Sequence, residues 1–558
     1  DWRCGVDLEK TLSVKDLSVK ERKSIVGVVA CLLGSKDEPE LLLVNIDSWE
    51  NDFFTKFCGF MELQKQIDSL SPLLHHSTDP TPFFDALGDR WVSDSMKARL
   101  ALLILHFTIM DAGGYDSRVR VLLKRLISFL KLPWSWFCIH ENNYAHSLKK
   151  AMEEAEKRQK EELKKKSNES RPKRWLKIGA AAVVGGGLLV LTGGLAAPAL
   201  GIGLGVIGFG SVGAFVASGA GIATISTLFG AAGAGLTGYR MRKRLDGITE
   251  FVFCKLENDT GMQVVLGISG WLTDGVEDSE NRWRDTLSAQ FPLSELYSLN
   301  WESKCLLELG SGVRKFVLHK SVTTTISESL KMTLLTGVVA ALAWPLVLLD
   351  LSSVIDNPWG IAMSKAQKAG VALADALIAR SHGNRPITLF GFSMGARVIF
   401  YCLEELSRRQ TAFENGDSHC PSEASQSESK SEQKSENDSL LTTKTTNGDN
   451  KQDELQSVLG IVEDVILLGC PCSSNQNRWT AIRRVVAGRL VNGYCQTDWV
   501  LKFLYRASEA SYAVAGLDVI DVPGVENFDL SEFVPGHLSY DEKLEELVQH
   551  VMLINCDK

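Results

Sequence analysis

The feature that most limits how this chain can fold is a run of 62 residues, from Ile178 to Tyr239, without a charged side chain. A membrane-spanning helix needs about 20 apolar residues, so the run has room for two passes, or three at most. Pro198 lies where a break between two passes would fall, and the abundant glycines suit close helix packing in lipid. We predict a glycine-rich transmembrane hairpin of two passes over residues 178–239. A hairpin that dips into one leaflet or packs on the protein is the alternative.

The charges that flank this run predict its orientation. Basic residues stand at positions 173, 174 and 177 before it and at 240 and 242–244 after it. Under the positive-inside rule both ends then face the cytosol, and the number of passes is even. Twelve scattered cysteines without a C-x-x-C pair also fit a reducing compartment. The prediction is an integral membrane protein of the endomembrane system (ER or Golgi) with both soluble parts in the cytosol.

Composition divides the rest of the chain into further segments. Residues 1–144 mix apolar helical runs with short polar loops, which predicts a helical N-terminal domain. Residues 145–174 carry dense charge of both signs, with i,i+4 pairs such as Glu153 and Lys157 that favour a solvated helix. Residues 411–455 are rich in Ser, Glu, Lys and Asn and lack the apolar side chains of a core, which predicts a disordered acidic insertion.

From residue 250 onward, strand candidates alternate with helical stretches. The six candidates are MQVVLGIS, ELYSLNW, PITLFGF, DVILLGC, RLVNGYC and LDVIDV. This alternation predicts a doubly wound, mostly parallel sheet in a domain formed by residues 250–410 and 456–558. The apolar segment 332–349 inside this domain is of borderline length for a transmembrane pass and carries Pro345. A buried or interfacial helix, which could serve as a lid, is the alternative.

The third of these strands leads into Gly391-Phe392-Ser393-Met394-Gly395, which has the G-x-S-x-G pattern of a nucleophile elbow. In such an elbow a strained turn between strand and helix lifts the serine hydroxyl above the sheet. The glycines on either side let the strand and the helix approach closely. The residues that follow, ARVIFYCLEEL, predict a helix, so the motif stands in the context it requires. An inert turn is the alternative to catalysis.

A serine nucleophile of the α/β-hydrolase fold needs an acid and then a histidine further along the chain. Only His419, His537 and His550 follow the elbow. His419 lies in the predicted disordered insertion, and His550 lies in the middle of a predicted helix. His537 lies in a loop between the last strand candidate and the final helix, which is where a catalytic histidine is expected. We therefore predict His537 as the base, with a loop histidine of no consequence as the alternative.

The acid is predicted from its position relative to the strands. Asp498 follows the strand candidate RLVNGYC, where a carboxylate would orient the imidazole and stabilise its protonated form. Asp518 and Asp521 lie within the next strand candidate, and Asp464 precedes its strand and so faces the opposite end of the sheet. Asp498 is the prediction. Capping the helix that follows is the alternative role for this residue.

An oxyanion hole needs two backbone N–H groups, one from the residue after the nucleophile and one from a loop after an earlier strand. Met394 supplies the first. Gly270 and Trp271 directly follow the strand candidate MQVVLGIS, where a glycine lets the backbone turn inward. These three residues are the predicted oxyanion hole.

The charged helix, the glycine-rich segment, GISGWL, GFSMGAR and a late Gly-His together resemble the transmembrane and coiled-coil domain-containing protein 4 family. Its members are eukaryotic membrane proteins with an α/β-hydrolase-like domain. The resemblance implies a membrane-bound serine hydrolase, such as a lipase, and carries over Ser393, Asp498 and His537 as the triad.

These observations predict a serine esterase or lipase that cleaves acyl esters of membrane lipids in the bilayer beside it, with no metal or cofactor. The net charge of −8 argues against a nucleic-acid partner, because phosphate binding rests on basic surface. The alternative function is a catalytically silent membrane adaptor with a hydrolase fold. Such an adaptor would recruit protein partners through the helical N-terminal domain or the acidic insertion.

Overall fold

The computed structural model describes the chain over residues 12–34, 47–74, 79–110, 114–169, 227–229, 236, 247–257, 260–328, 358–416, 456–509 and 513–553. Most of the predicted hairpin 178–239, all of segment 332–349 and residues 417–455 of the insertion lie outside this part. The predictions for those segments therefore stay predictions. Among the described residues, no helix combines the length and the apolar character that crossing a bilayer requires.

The N-terminal part is helical as far as it is described. Its α-helices are α1 Val19–Gly34, α2 Asp47–Phe60, α3 Ile67–Leu70, α4 Thr81–Asp85, α5 Asp94–Met110, α6 Ser117–Phe129 and α7 Trp134–Glu169. Residues 24–34 of α1 are all buried, because a helix that is apolar on every side has to be surrounded by other elements. The charged stretch that begins at residue 145 is the second half of α7 rather than a separate helix.

The remaining part is built on a seven-stranded sheet. Its strands are β1 Phe251–Glu257, β2 Val264–Ile268, β3 Glu295–Trp301, β4 Ile387–Phe392, β5 Val462–Leu468, β6 Leu490–Tyr494 and β7 Val525–Asp529. The strands are ordered β1-β3-β2-β4-β5-β6-β7. Only β1 runs antiparallel to its neighbour, and the other pairs are parallel. The structure therefore confirms a mostly parallel sheet in a mixed α/β arrangement.

One strand prediction was wrong, and one strand was missed. LDVIDV is not a strand: it begins at the last residue of a 3₁₀ turn, Ala515–Leu517, and β7 forms further along the chain instead. The Asn527 side chain of β7 bonds to both the N–H and the carbonyl of Ile520, so side-chain bonds hold this segment where a strand ladder was expected. Strand β1 was not predicted, because it lies at the sheet edge and alternates buried with exposed residues.

Helices cover both faces of the sheet and connect its strands. They are α8 Val276–Gln290, α9 Ser303–Glu328, α10 Gly360–Ile378, α11 Met394–Asn415, α12 Gln476–Arg483, α13 Trp499–Glu509, α14 Ser539–Glu542 and α15 Leu544–Leu553. Helix α11 follows the predicted elbow and takes in residues 411–415, which were assigned to the insertion.

A buried ion-pair network joins the helical part to the sheet. Arg120 of α6 bonds to Glu141 of α7 at 2.9 Å and to Glu463 of β5 at 2.7 Å, and all three side chains are buried. Lys124 of α6 pairs with Asp464, also at the start of β5. The helical part thus packs where β5 begins, and the opposite ends of the parallel strands carry the residues described next.

Candidate active site

The turn after β4 has the geometry of a strained elbow. Ser393 has φ 49° and ψ −120°, a conformation that non-glycine residues rarely adopt. A Cβ atom at Gly395 would lie 2.0 Å from the carbonyl oxygen of Ile268, and one at Gly391 would lie 2.7 Å from Cδ1 of Ile399. Both glycines are therefore required by close packing, Gly391 against helix α11 and Gly395 against strand β2.

The structure brings the three predicted triad residues together from distant parts of the chain. Ser393 Oγ lies 2.9 Å from Nε2 of His537, and Nδ1 of the same imidazole lies 2.5 Å from Oδ2 of Asp498. Ser393 and Asp498 are 0% exposed and His537 is 1% exposed. A hydroxyl, an imidazole and a carboxylate in a buried line can pass a proton from the hydroxyl to the imidazole and stabilise the cation that results.

Asp498 makes the contacts that both of its predicted roles require. One carboxylate oxygen, Oδ2, contacts His537, while Oδ1 accepts the backbone N–H of Leu501 in the first turn of α13 at 3.0 Å. The cap holds the carboxylate in place because it anchors the oxygen that the imidazole does not use. The start of helix α13 therefore fixes the carboxylate that contacts the imidazole of His537.

The competing acids and histidines lie elsewhere. Asp464 is at the opposite end of the sheet beside Lys124, and Asp518 and Asp521 are exposed. The His550 ring packs on Phe533 with 4.5 Å between ring centroids. His419 lies outside the described residues.

The predicted oxyanion residues lie around the elbow. A Cβ atom at Gly270 would lie 2.3 Å from the carbonyl oxygen of Phe392, so only glycine lets this loop pass so close to Ser393. No described backbone carbonyl accepts a hydrogen bond from the N–H of Trp271 or of Met394. Both N–H groups are therefore candidate donors to a substrate oxygen.

A set of hydrogen bonds that sequence reasoning missed holds this loop. The indole N–H of Trp283 donates to Ser269 Oγ at 2.8 Å, and that of Trp301 donates to the Ser269 carbonyl at 3.2 Å. The Ser279 hydroxyl lies 2.6 Å from the same Oγ. Ser269 directly precedes Gly270, so these contacts fix the backbone from which the loop donor projects. Nothing in the sequence pairs these residues, because they come from three different elements.

Aromatic side chains surround the imidazole. The ring centroids of Trp271, Tyr540 and Trp359 lie 4.8, 5.6 and 6.4 Å from that of His537. Burial raises the pKa of the Tyr540 phenol well above its usual value, and the charge of Asp498 adds to the rise. The Tyr540 side chain is therefore neutral at physiological pH. Trp359 and Tyr540 were not predicted from the sequence.

An ion pair ties the loop that carries His537 to helix α8. Asp541, four residues after the histidine, pairs with Arg282. Burial raises the pKa of the Asp541 carboxyl to about 6, although Arg282 acts in the opposite direction. In the part of the chain that the structure describes, no group of three or more His, Cys, Asp or Glu side chains could hold a metal ion.

The chain is similar to a family described as "Protein of unknown function (DUF726)", whose pattern matches residues 170–414 and 452–554. The chain belongs to this family. The family match thus takes in the elbow, all three triad residues and the loop at Gly270.

Relatives with curated names add to this finding. An uncharacterized membrane protein of Caenorhabditis elegans is 37% identical over 81% of the chain and 66% of its own length. The transmembrane and coiled-coil domain-containing protein STS1 of Oryza sativa subsp. japonica is 36% identical over 79% of the chain and 61% of its own length. The probable lipase MIL1 of Saccharomyces cerevisiae is 33% identical over 80% of the chain and 38% of its own length. The chain spans about two thirds or less of these relatives, and no solved structure matches it.

Proposed function

We propose that this protein is a membrane-bound serine hydrolase, a lipase or esterase that cleaves acyl esters of membrane lipids. One observation carries the proposal. A serine in a strained turn lies 2.9 Å from an imidazole, and the other nitrogen of that imidazole lies 2.5 Å from a buried carboxylate. Ser393 is the nucleophile, His537 the general base and acid, and Asp498 the residue that orients the imidazole.

In the first half of the reaction, Ser393 Oγ attacks the acyl carbonyl carbon while its proton passes to His537 Nε2. The carbonyl oxygen becomes an oxyanion, which the N–H groups of Met394 and of the loop at Gly270 and Trp271 stabilise. Collapse of this intermediate breaks the ester C–O bond, and His537 returns the proton to the leaving alcohol. An acyl-serine remains.

In the second half, water gives a proton to His537 and attacks the acyl-serine. The second oxyanion collapses, Ser393 recovers its proton from the imidazole, and a carboxylic acid is released. Each oxyanion donor that is removed from such a site costs roughly 3 to 4 kcal/mol of transition-state stabilisation. The reaction needs no cofactor, because the triad supplies every proton transfer.

Three features support an α/β-hydrolase fold for residues 250–410 and 456–558. The nucleophile follows a central strand in a sharp turn into a helix, an oxyanion loop follows the neighbouring strand β2, and the triad residues come in the chain order Ser, Asp, His. Strand β4 lies between β2 and β5 in the sheet, so the elbow stands at its middle.

A membrane lipid is the substrate that the surroundings of the site favour. Relatives are named as membrane proteins or as a probable lipase, and the uncharged segment 178–239 would hold the hydrolase beside the bilayer. The order of the sequence motifs supports our proposal that the chain is a member of the transmembrane and coiled-coil domain-containing protein 4 family. Because basic residues flank segment 178–239 on both sides, we propose that both soluble parts face the cytosol. An ER or Golgi membrane is the location that we propose.

The test is the release of fatty acid from a lipid ester by the full chain in detergent micelles or vesicles. Ser393→Ala should abolish release. Ser298→Ala is the matched control, because Ser298 is also buried but lies in β3 and its hydroxyl has no partner among the described residues. Release that survives in Ser393→Ala, or is absent from a folded wild type across lipid esters, would overturn the proposal.

A second candidate function is a catalytically silent membrane adaptor. The observation in its favour is the complete burial of the Ser393 hydroxyl, which a substrate reaches only after the site opens. Protein partners would then bind the helical N-terminal part or the acidic insertion. Rescue of a deletion phenotype by Ser393→Ala would favour the adaptor, since an adaptor has no use for a nucleophile.

A further inference from the structure

We infer that the indole N–H groups of Trp271 and Trp359 form a subsite that donates hydrogen bonds to uncharged substrate oxygens. The preferred substrate is therefore an ester with additional neutral oxygens beside the scissile bond, such as a glycerol ester, rather than a simple alkyl ester. This inference rests on the proposed hydrolase function and narrows its substrate class.

Both indoles pack directly on the imidazole of His537. The ring plane of Trp271 is tilted by 37° to that of His537, with 4.8 Å between the ring centroids. The Trp359 ring meets the imidazole edge-on, with 6.4 Å between the centroids. They are 1% and 0% exposed. Since the indole nitrogen is part of the ring, both donors lie in the shell of side chains around the catalytic histidine.

Hydrogen bonding separates these two residues from the other buried tryptophans. Six tryptophans in the described part of the chain are almost fully buried. Four of them donate their N–H to a protein oxygen, and these four are Trp91, Trp283, Trp301 and Trp479. No described group accepts from the other two, Trp271 and Trp359. The donors without an acceptor are thus the two that touch His537.

A buried donor without an acceptor costs free energy, so a donor retained at a reaction site calls for a functional reason. An indole N–H only donates, which means that its partner must be an acceptor. The buried carboxylate of Asp498 lies in the same site, so a second negative charge from a phosphate there would be unfavourable. Carbonyl, ether and hydroxyl oxygens remain as the acceptors that fit.

The experiment compares two esters of oleic acid, 1-oleoylglycerol and propyl oleate, which share the acyl chain and the three-carbon alcohol and differ in two hydroxyls. Trp359→Phe keeps an aromatic ring and removes the donor, and Trp271→Phe does the same at the second position. Trp359→Phe should lower kcat/KM for the glycerol ester by about tenfold and leave that for the propyl ester within twofold. Because Trp271 also belongs to the oxyanion loop, Trp271→Phe is judged by the ratio of the two kcat/KM values, glycerol ester over propyl ester, which should fall about tenfold. Trp479→Phe is the matched control, because it removes a buried indole N–H away from His537.

An equal loss on both esters would show a purely structural role and overturn the inference, as would no loss on either. The wild type gives a second test that depends on no variant, because it should prefer the glycerol ester severalfold, and equal rates would overturn the inference. Hydrolysis of propyl oleate without that preference would leave the proposed function standing. A wild type that cleaves neither ester and reacts with no serine-directed probe would contradict both the proposed hydrolase function and the inferred subsite.

Discussion

Replacing Asp498 by asparagine separates the two roles of its carboxylate. Oδ1 caps helix α13 through the N–H of Leu501, and Oδ2 lies 2.5 Å from Nδ1 of His537. Asparagine caps helices about as well as aspartate, so the cap survives in Asp498→Asn. The amide NH₂ then faces Nδ1, however, and only an imidazole protonated at Nε2 can accept its hydrogen bond. That tautomer cannot take the proton of Ser393.

The magnitudes follow from these contacts. Loss of the correct tautomer should lower kcat by about 10⁴-fold, with KM nearly unchanged. The free energy of unfolding should fall by less than about 1 kcal/mol in Asp498→Asn, because the cap remains. Asp498→Ala removes the cap as well and leaves the buried imidazole N–H without an acceptor, so it should cost about 1 to 3 kcal/mol more.

The assay pairs steady-state ester hydrolysis with urea unfolding for the wild type and both variants. An Asp498→Asn protein that keeps more than a tenth of the wild-type kcat would refute the assignment of Asp498 as the orienting acid. Equal destabilisation by asparagine and alanine would refute the separate cap.

Three further predictions concern the core, the oxyanion loop and pH. Arg120→Met leaves the buried Glu141 carboxylate without its cation and Glu463 with Lys124 alone, and it should lower the free energy of unfolding by about 3 to 5 kcal/mol, as measured in urea. Trp283→Phe removes a donor to Ser269 and should lower kcat roughly tenfold with little change in KM, whereas an altered KM alone would contradict a positioning role. Burial lowers the pKa of His106 to about 4, so the unfolded chain takes up this proton first. The contribution of His106 to the free energy of unfolding should be fully present above pH 6.5 and should fall by up to about 3 kcal/mol as the pH drops to 4. His106→Gln should therefore flatten the dependence of the free energy of unfolding on pH over this range.

Local rules account for the features that the sequence predicted well. The spacing of Gly391, Ser393 and Gly395 encodes the turn, because both glycines stand where a Cβ atom would collide with a neighbouring element. The scarcity of histidine after the elbow singled out His537, and the position of Asp498 directly after the strand candidate RLVNGYC singled out the acid. The structure places all three side chains in contact.

Non-local contacts explain what the sequence did not show. Strand β7 replaces the more apolar LDVIDV because the Asn527 side chain bonds that segment, a contact no periodicity reveals. Trp283 and Trp301 reach Ser269 from different elements, and Trp359, directly before helix α10, reaches His537 in the loop before helix α14. Such contacts depend on how the sheet brings its connections together.

The most direct test of the central claim is the mapping of a covalent adduct. The full chain in detergent is treated with a fluorophosphonate and digested, and the modified peptide is identified by mass spectrometry. We predict a single phosphonylated residue, Ser393, with labelling lost in Ser393→Ala and strongly slowed in His537→Gln, while His550→Gln, the control, labels like the wild type. A folded wild type that stays unlabelled, or an adduct on another residue that persists in Ser393→Ala, would contradict the account.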